Sequence, residues 1–244
     1  MSAATAAADR EVGTPPVSVA SEATEHWVVP LLVLIVGMFM TVLDTSIINV
    51  AIPTIQTEFG GSTSDVAWIS TGYALTLGVV VPTTAWLGDR VGLDRLYTIA
   101  LAGFALGSAL CGLAFSLNSL IAFRVVQAIA GGVLPAITMT MVYRIVPPTK
   151  IGSAMGMYGL GVIVAPALGP TLGGYLVEYV NWRLIFYINV PVAIVGVVLA
   201  VLYLPKFTSR PTYPFDVLGF VTVAAGLVAL LLAFSEGGSW GWTS

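Results

Sequence analysis

Seven stretches of the chain are long and almost wholly apolar, with short polar connections between them. A helix needs about 20 apolar residues to cross a bilayer core. The pattern predicts spans at roughly 28–51, 66–87, 96–116, 119–142, 152–176, 184–204 and 217–235. The fifth is the most informative. Met155 to Leu176 carries no charge, yet it holds Pro166, Pro170 and several glycines. Such a run makes a poor helix in water, whereas in lipid the backbone must bond to itself. Gly161, Ala165, Gly169 and Gly173 recur every four residues, a ridge that lets another helix approach closely. Each proline removes a backbone donor, which predicts a bend.

Composition agrees with the pattern. Charged residues make up 9% of the chain, against about 25% in soluble domains. The fold class expected is an all-α polytopic membrane protein, surrounded by the lipid bilayer. Residues 1–26 should form a disordered cytoplasmic tail, 27–204 a six-helix bundle, 205–216 a cytoplasmic loop, and 217–244 a seventh transmembrane helix with its outer end. The tail is rich in Ala, Ser, Thr and Pro and lacks apolar periodicity. Its acidic charge, and the length of the apolar run behind it, do not fit a signal peptide. The net charge of −3 resides there, in Asp9, Glu11, Glu22 and Glu25 against Arg10, and the rest of the chain balances. No nucleic-acid partner is expected. Cys111 is the only cysteine and His26 the only histidine. That excludes an intrachain disulfide, a cysteine-built metal site and a histidine proton relay. No metal site, organic cofactor or enzymatic chemistry is expected, and no nucleotide loop is present.

The bases set an orientation. Arg90, Arg95, Arg144, Lys150, Lys206 and Arg210 fall in loops on one side, and Arg183 alone falls on the other. The richer side is expected in the cytoplasm, with the N-terminus. The seventh span would then deliver Trp240 and Trp242 to an outer interfacial belt.

Two ionisable residues lie inside spans, Asp44 in the first and Arg124 in the fourth. Each costs about 2.5–3.5 kcal/mol at mid-bilayer on insertion scales, so a functional role is the default. At 1.5 Å per residue, Asp44 should lie roughly 6 Å and Arg124 about 8 Å below the outer surface of the core. The two should face one cavity and interact, directly or through water. The residues alone leave two readings, a static pair that fixes helix packing or a proton carrier. Asn49, Gln127 and Tyr73 are candidates for lining the same cavity and touching a small-molecule substrate. Asp89, Arg90 and Gly92 form a turn at the basic end, where Gly92 permits a tight bend.

Several stretches resemble one family. Leu43–Pro53 is similar to the first-helix motif of fourteen-helix drug:proton antiporters of the major facilitator superfamily. Residues 85–95, AWLGDRVGLDR, resemble its loop motif, with Leu93 and Asp94 where bases are usual. Arg124–Ala128 resembles R-x-x-q-G of the fourth helix. Ala165–Gly174 resembles the antiporter motif g-x-x-x-G-P-x-x-G-G of the fifth, with Ala165 in the first small position. Trp182–Pro191 and Pro214–Gly219 also look like that branch.

The resemblance implies a major-facilitator N-terminal six-helix bundle plus one further helix, in the inner membrane of a bacterium. It implies proton-coupled efflux of hydrophobic or cationic drug-like molecules by alternating access, driven by the proton gradient. Asp44 and Arg124 would couple protons. Asp89, Arg90 and Gly92 would latch a conformation. Gly161, Ala165, Pro166, Gly169, Pro170, Gly173 and Gly174 would shape the antiport helix. Such transporters have a second six-helix half. The chain would need that C-terminal half, or a second subunit, to complete its cavity. A non-transporting fragment, an assembly partner, a self-associating half-size carrier, or an exporter of a metabolite, lipid or siderophore stay open as alternatives.

Overall fold

A computed structural model of the chain describes residues 26–209 and 214–240. It is all-helical across the described residues. The elements are α1 (Val28–Phe59), α2 (Thr63–Val80), α3 (Thr84–Val91), α4 (Leu93–Gly112), α5 (Leu117–Ile145), α6 (Ile151–Tyr179), α7 (Leu184–Tyr187), α8 (Asn189–Tyr203) and α9 (Val217–Trp240). Seven helical segments among the described residues are long and apolar enough to cross a membrane. All seven predicted spans are present. Residues 1–25 of the expected tail, Arg210 and the belt residue Trp242 lie outside the described residues.

Helix ends depart from the apolar boundaries for local reasons. The first span was expected to end near Ala51, yet α1 runs through Pro53 to Phe59. Polar residues at a membrane surface can stay helical, and hydropathy sees only the apolar part. Gly60 and Gly61, both at positive φ, then turn the chain. Ser62 and Asp65 form a capping box that starts α2, and Ser116 with Ser119 does the same for α5. The second span is interrupted by a short 3-10 turn at Val81–Thr83, at Pro82. The sixth is split into α7 and α8. Asp216 accepts the Gly219 N–H at 2.8 Å and so caps the first turn of α9.

α1 is the central element and packs on α6, α5 and α8. α4 packs on α5 and α8, and α2 sits between α5 and α9. The apolar core is in two parts. One, toward the basic end, gathers Leu34, Met40, Tyr97, Phe104, Leu134 and Met141 among others. The second, toward the opposite end, gathers Ile47, Ile55, Ile69, Leu120, Trp182 and Phe186 among others. Between them lies a polar layer, taken from positions 44 on α1, 108 on α4, 124 and 127 on α5, and 189 on α8.

The small-residue ridge of α6 explains its contact with α1. A Cβ added at Gly161 would meet Ile35, at Gly169 it would land on Ser46, and at Gly173 it would meet Ile47. Ala165, Gly169 and Gly173 are buried while most of α6 is exposed. α6 runs as one helix through both prolines. Pro170 has no N–H for the carbonyl of Pro166, four residues back. Ser46 on α1 donates its hydroxyl to that carbonyl at 3.2 Å, so the neighbouring helix makes good the lost bond. Gly174 belongs to the motif but faces open space.

Candidate functional site

The polar layer is a closed network around one carboxylate. Asp44 and Arg124 are both 1% exposed, and Arg124 Nη1 lies 2.5 Å from Asp44 Oδ2. Gln127 donates to Asp44 Oδ1 at 3.1 Å and accepts from Arg124 Nη1 at 2.8 Å. Asn189 donates to the same Oδ1 at 3.0 Å. The Cys111 thiol donates to Gln127 Oε1 at 3.6 Å. The guanidinium carbon of Arg124 lies over the ring of Tyr73, from α2, 4.1 Å from its centroid. Five spans thus contribute to this network.

Helix geometry decides which candidates reach it. Gln127 follows Arg124 by three residues, which leaves it about 60° away around α5. Asn49 follows Asp44 by five, which turns it about 140° aside. Asn49 is exposed and donates to the Thr45 carbonyl at 3.2 Å. The structure does not bring Asn49 to Asp44. Tyr73 is buried, and it covers Arg124 instead of lining an open wall. Within α1, which extends to Phe59, Asp44 lies near the midpoint.

Asp89, Arg90 and Gly92 sit together at the basic end. Asp89 lines a cavity of about 180 Å³ with Thr84, Thr140 and Arg144. Arg90 lies over the Trp86 ring at 5.2 Å. Gly92 has φ 95°, and a Cβ there would press on the Phe207 carbonyl at 2.7 Å. Two partners of this turn escaped the sequence reading. The buried Asp94 accepts the Phe207 N–H at 3.0 Å and pairs with Lys206 at 3.5 Å. An acid where the motif expects a base thus anchors the loop after the sixth span.

Asn189 and Ser108 were also missed as site residues. Asn189 was legible as an amide in an apolar run, two residues before Pro191. Ser108 gave no signal, since a small hydroxyl among alanines is an ordinary packing residue. At the opposite end, Glu58 accepts from the Trp182 indole at 2.5 Å and from Arg183 at 2.8 Å. Glu58 lay beyond the predicted span, so its link to residues far along the chain was invisible.

Seven apolar helices and a buried acid–arginine pair among them define a multi-pass membrane protein with an ionisable centre. The profile of the Major Facilitator Superfamily matches residues 34–242, and the chain belongs to that family. It is 38% identical over 213 residues to the uncharacterised MFS-type transporter YhcA of Bacillus subtilis, which covers 87% of this chain and 40% of that protein. It is 40% identical over 197 residues to a candidate multidrug resistance protein, MdtD, of Yersinia enterocolitica, covering 81% and 42%. In structure it is similar to a peptide transporter, POT, solved with alafosfalin. The TM-score is 0.67 at 17% identity, over 84% of this chain and 46% of that one. That likeness establishes the fold. The chain spans less than half the length of each of these proteins.

Proposed function

We infer that this chain carries the proton-coupling half of an exporter. It would move small hydrophobic or cationic drug-like molecules out of a bacterial cell in exchange for protons, by alternating access. The observation that carries this reading is Asp44, ionisable, mid-helix and enclosed by donors from neighbouring spans. A buried carboxylate is tolerated when paired and can be neutralised by a proton when its partner leaves.

The pairing with Arg124 supports a carrier over a static tie. Only Nη1 of the guanidinium engages Asp44, and buried Nε has no protein partner among the described residues. A locked pair would use both arms of the fork. The name of the MdtD relative supports a drug-like cargo. Arg90, Arg95, Arg144, Lys150 and Lys206 support a cytoplasmic basic end and N-terminus, with the far end of α9 outside. A second half or subunit would cover the exposed faces of α2 and α6 and complete the substrate cavity. The proton gradient would supply the energy.

The test is substrate-driven proton movement in membrane vesicles containing the protein. Asp44→Asn is expected to abolish it while the amount of protein in the membrane stays unchanged. Full proton-coupled transport by that variant would overturn the reading.

A further inference from the structure

Asn189 and Ser108 are both buried in the polar layer. They lie beside the break in the sixth span. Pro191 has no N–H to give the Tyr187 carbonyl four residues back, and α7 stops at Tyr187 before α8 starts at Asn189. Ser108, from α4, donates its hydroxyl to the Phe186 carbonyl at this break, at 2.8 Å. The same hydroxyl oxygen accepts from Asn189 Nδ2 at 3.0 Å. The amide nitrogen also donates to Asp44 Oδ1 at 3.0 Å. A side-chain amide has two N–H groups, so both are committed, one to each neighbour. The carboxylate is thereby wired through two side chains to the one discontinuity in the sixth span.

Protonation must disturb this wiring. An ionised carboxylate only accepts, whereas a protonated one carries an O–H that needs an acceptor. Around Asp44 stand Arg124 and Gln127 from α5 and Asn189 from α8, with Tyr73 of α2 stacked on Arg124 and Cys111 of α4 bonded to Gln127. The groups bonded to its two oxygens are all N–H donors. A proton on Oδ1 displaces Gln127 or Asn189, and a proton on the second lone-pair site of Oδ2 removes the charge that strengthens all three bonds. We propose that Asn189 is a positioning residue that couples the protonation state of Asp44 to the break in the sixth span, with Ser108 as the intermediate link. This rests on Asp44 being the proton carrier.

The test uses the full-length protein in lipid nanodiscs. Infrared spectroscopy reads the carbonyl band of protonated Asp44, assigned by its loss in Asp44→Asn. Hydrogen exchange, corrected for its intrinsic pH dependence, reads the backbone at residues 186–192. In the unaltered protein, exchange at the break should rise as the Asp44 band grows. Asn189→Leu removes a donor that favours the charged form, so the band at fixed pH should grow several-fold and exchange should stop following it. Asn189→Ser, milder and able to donate once, should give an intermediate band and serves if the leucine variant does not assemble. Ser108→Ala should leave the band near its original height yet uncouple exchange from it. A folded Asn189 variant with an unchanged band and unchanged coupling would overturn the proposal. So would a Ser108→Ala protein whose exchange still follows the band. Transport retained in Asp44→Asn would instead sink the carrier reading, whatever the Asn189 variants do.

Discussion

Two acid–arginine pairs begin on α1, and they differ in almost everything except their chemistry. Asp44 and Arg124 are each 1% exposed and share their hydrogen bonds with amides on α5 and α8. Glu58 and Arg183 meet at 2.8 Å but are 40% and 27% exposed. There Arg183 also caps the Ala114 carbonyl and lies over Trp182, so the pair ties α1, the α4–α5 turn and the start of α7 together. In water, an ion pair gains little and is screened by salt. In a dry interior the same pair is costly to form and costly to break. The inner pair is therefore the one whose loss is expensive, while the outer one holds the rim of the bundle.

The strongest way to break this contrast is to remove one partner of the inner pair. Arg124→Ala should destabilise the protein by about 3–5 kcal/mol, because the buried Asp44 loses its counter-charge. Unfolding in detergent would measure this, and a loss below about 1 kcal/mol would place the inner pair in the same class as the outer.

A second test sharpens why Asp44 is dry. The α6 ridge holds α1 in place at the level of the site. Gly169→Val would drive a side chain into Ser46 and should cost about 1–3 kcal/mol by overpacking. Gly174→Ala, in the same motif but facing open space, should be neutral or slightly stabilising. Equal losses at the two positions would mean that the ridge is not what seats α1.

The smallest effect belongs to the rim. Glu58→Gln removes the charge but keeps an acceptor for the Trp182 indole. It should cost less than about 1 kcal/mol, and the difference should fade at about 1 M salt. A larger loss that salt does not touch would show that the rim pair behaves as a buried one.

Much of this was legible without coordinates, and the pattern of what was missed is physical. Asp44 and Arg124 stood out because charge is expensive in lipid, so two isolated charges in apolar spans name each other. The ridge of α6 was legible because small residues at every fourth position define one face of a helix. Gln127 was within reach of the same periodicity, and Asn49 was outside it. Asn189 and Ser108 were not legible as partners, because a neutral polar side chain costs too little to demand a role. Asp94 and Glu58 were hidden because each finds its partner in a distant loop.

The sequence by itself determined the membrane class, the seven spans and the basic end of the molecule. Those follow from composition and period, which are properties of each segment alone. Tertiary structure decided that five spans contribute to the network around one carboxylate, that Ser46 completes the backbone of a proline-bearing neighbour, and that a break in the sixth span lies three hydrogen bonds from Asp44. Such facts depend on which helix faces meet, and no segment carries that information within itself.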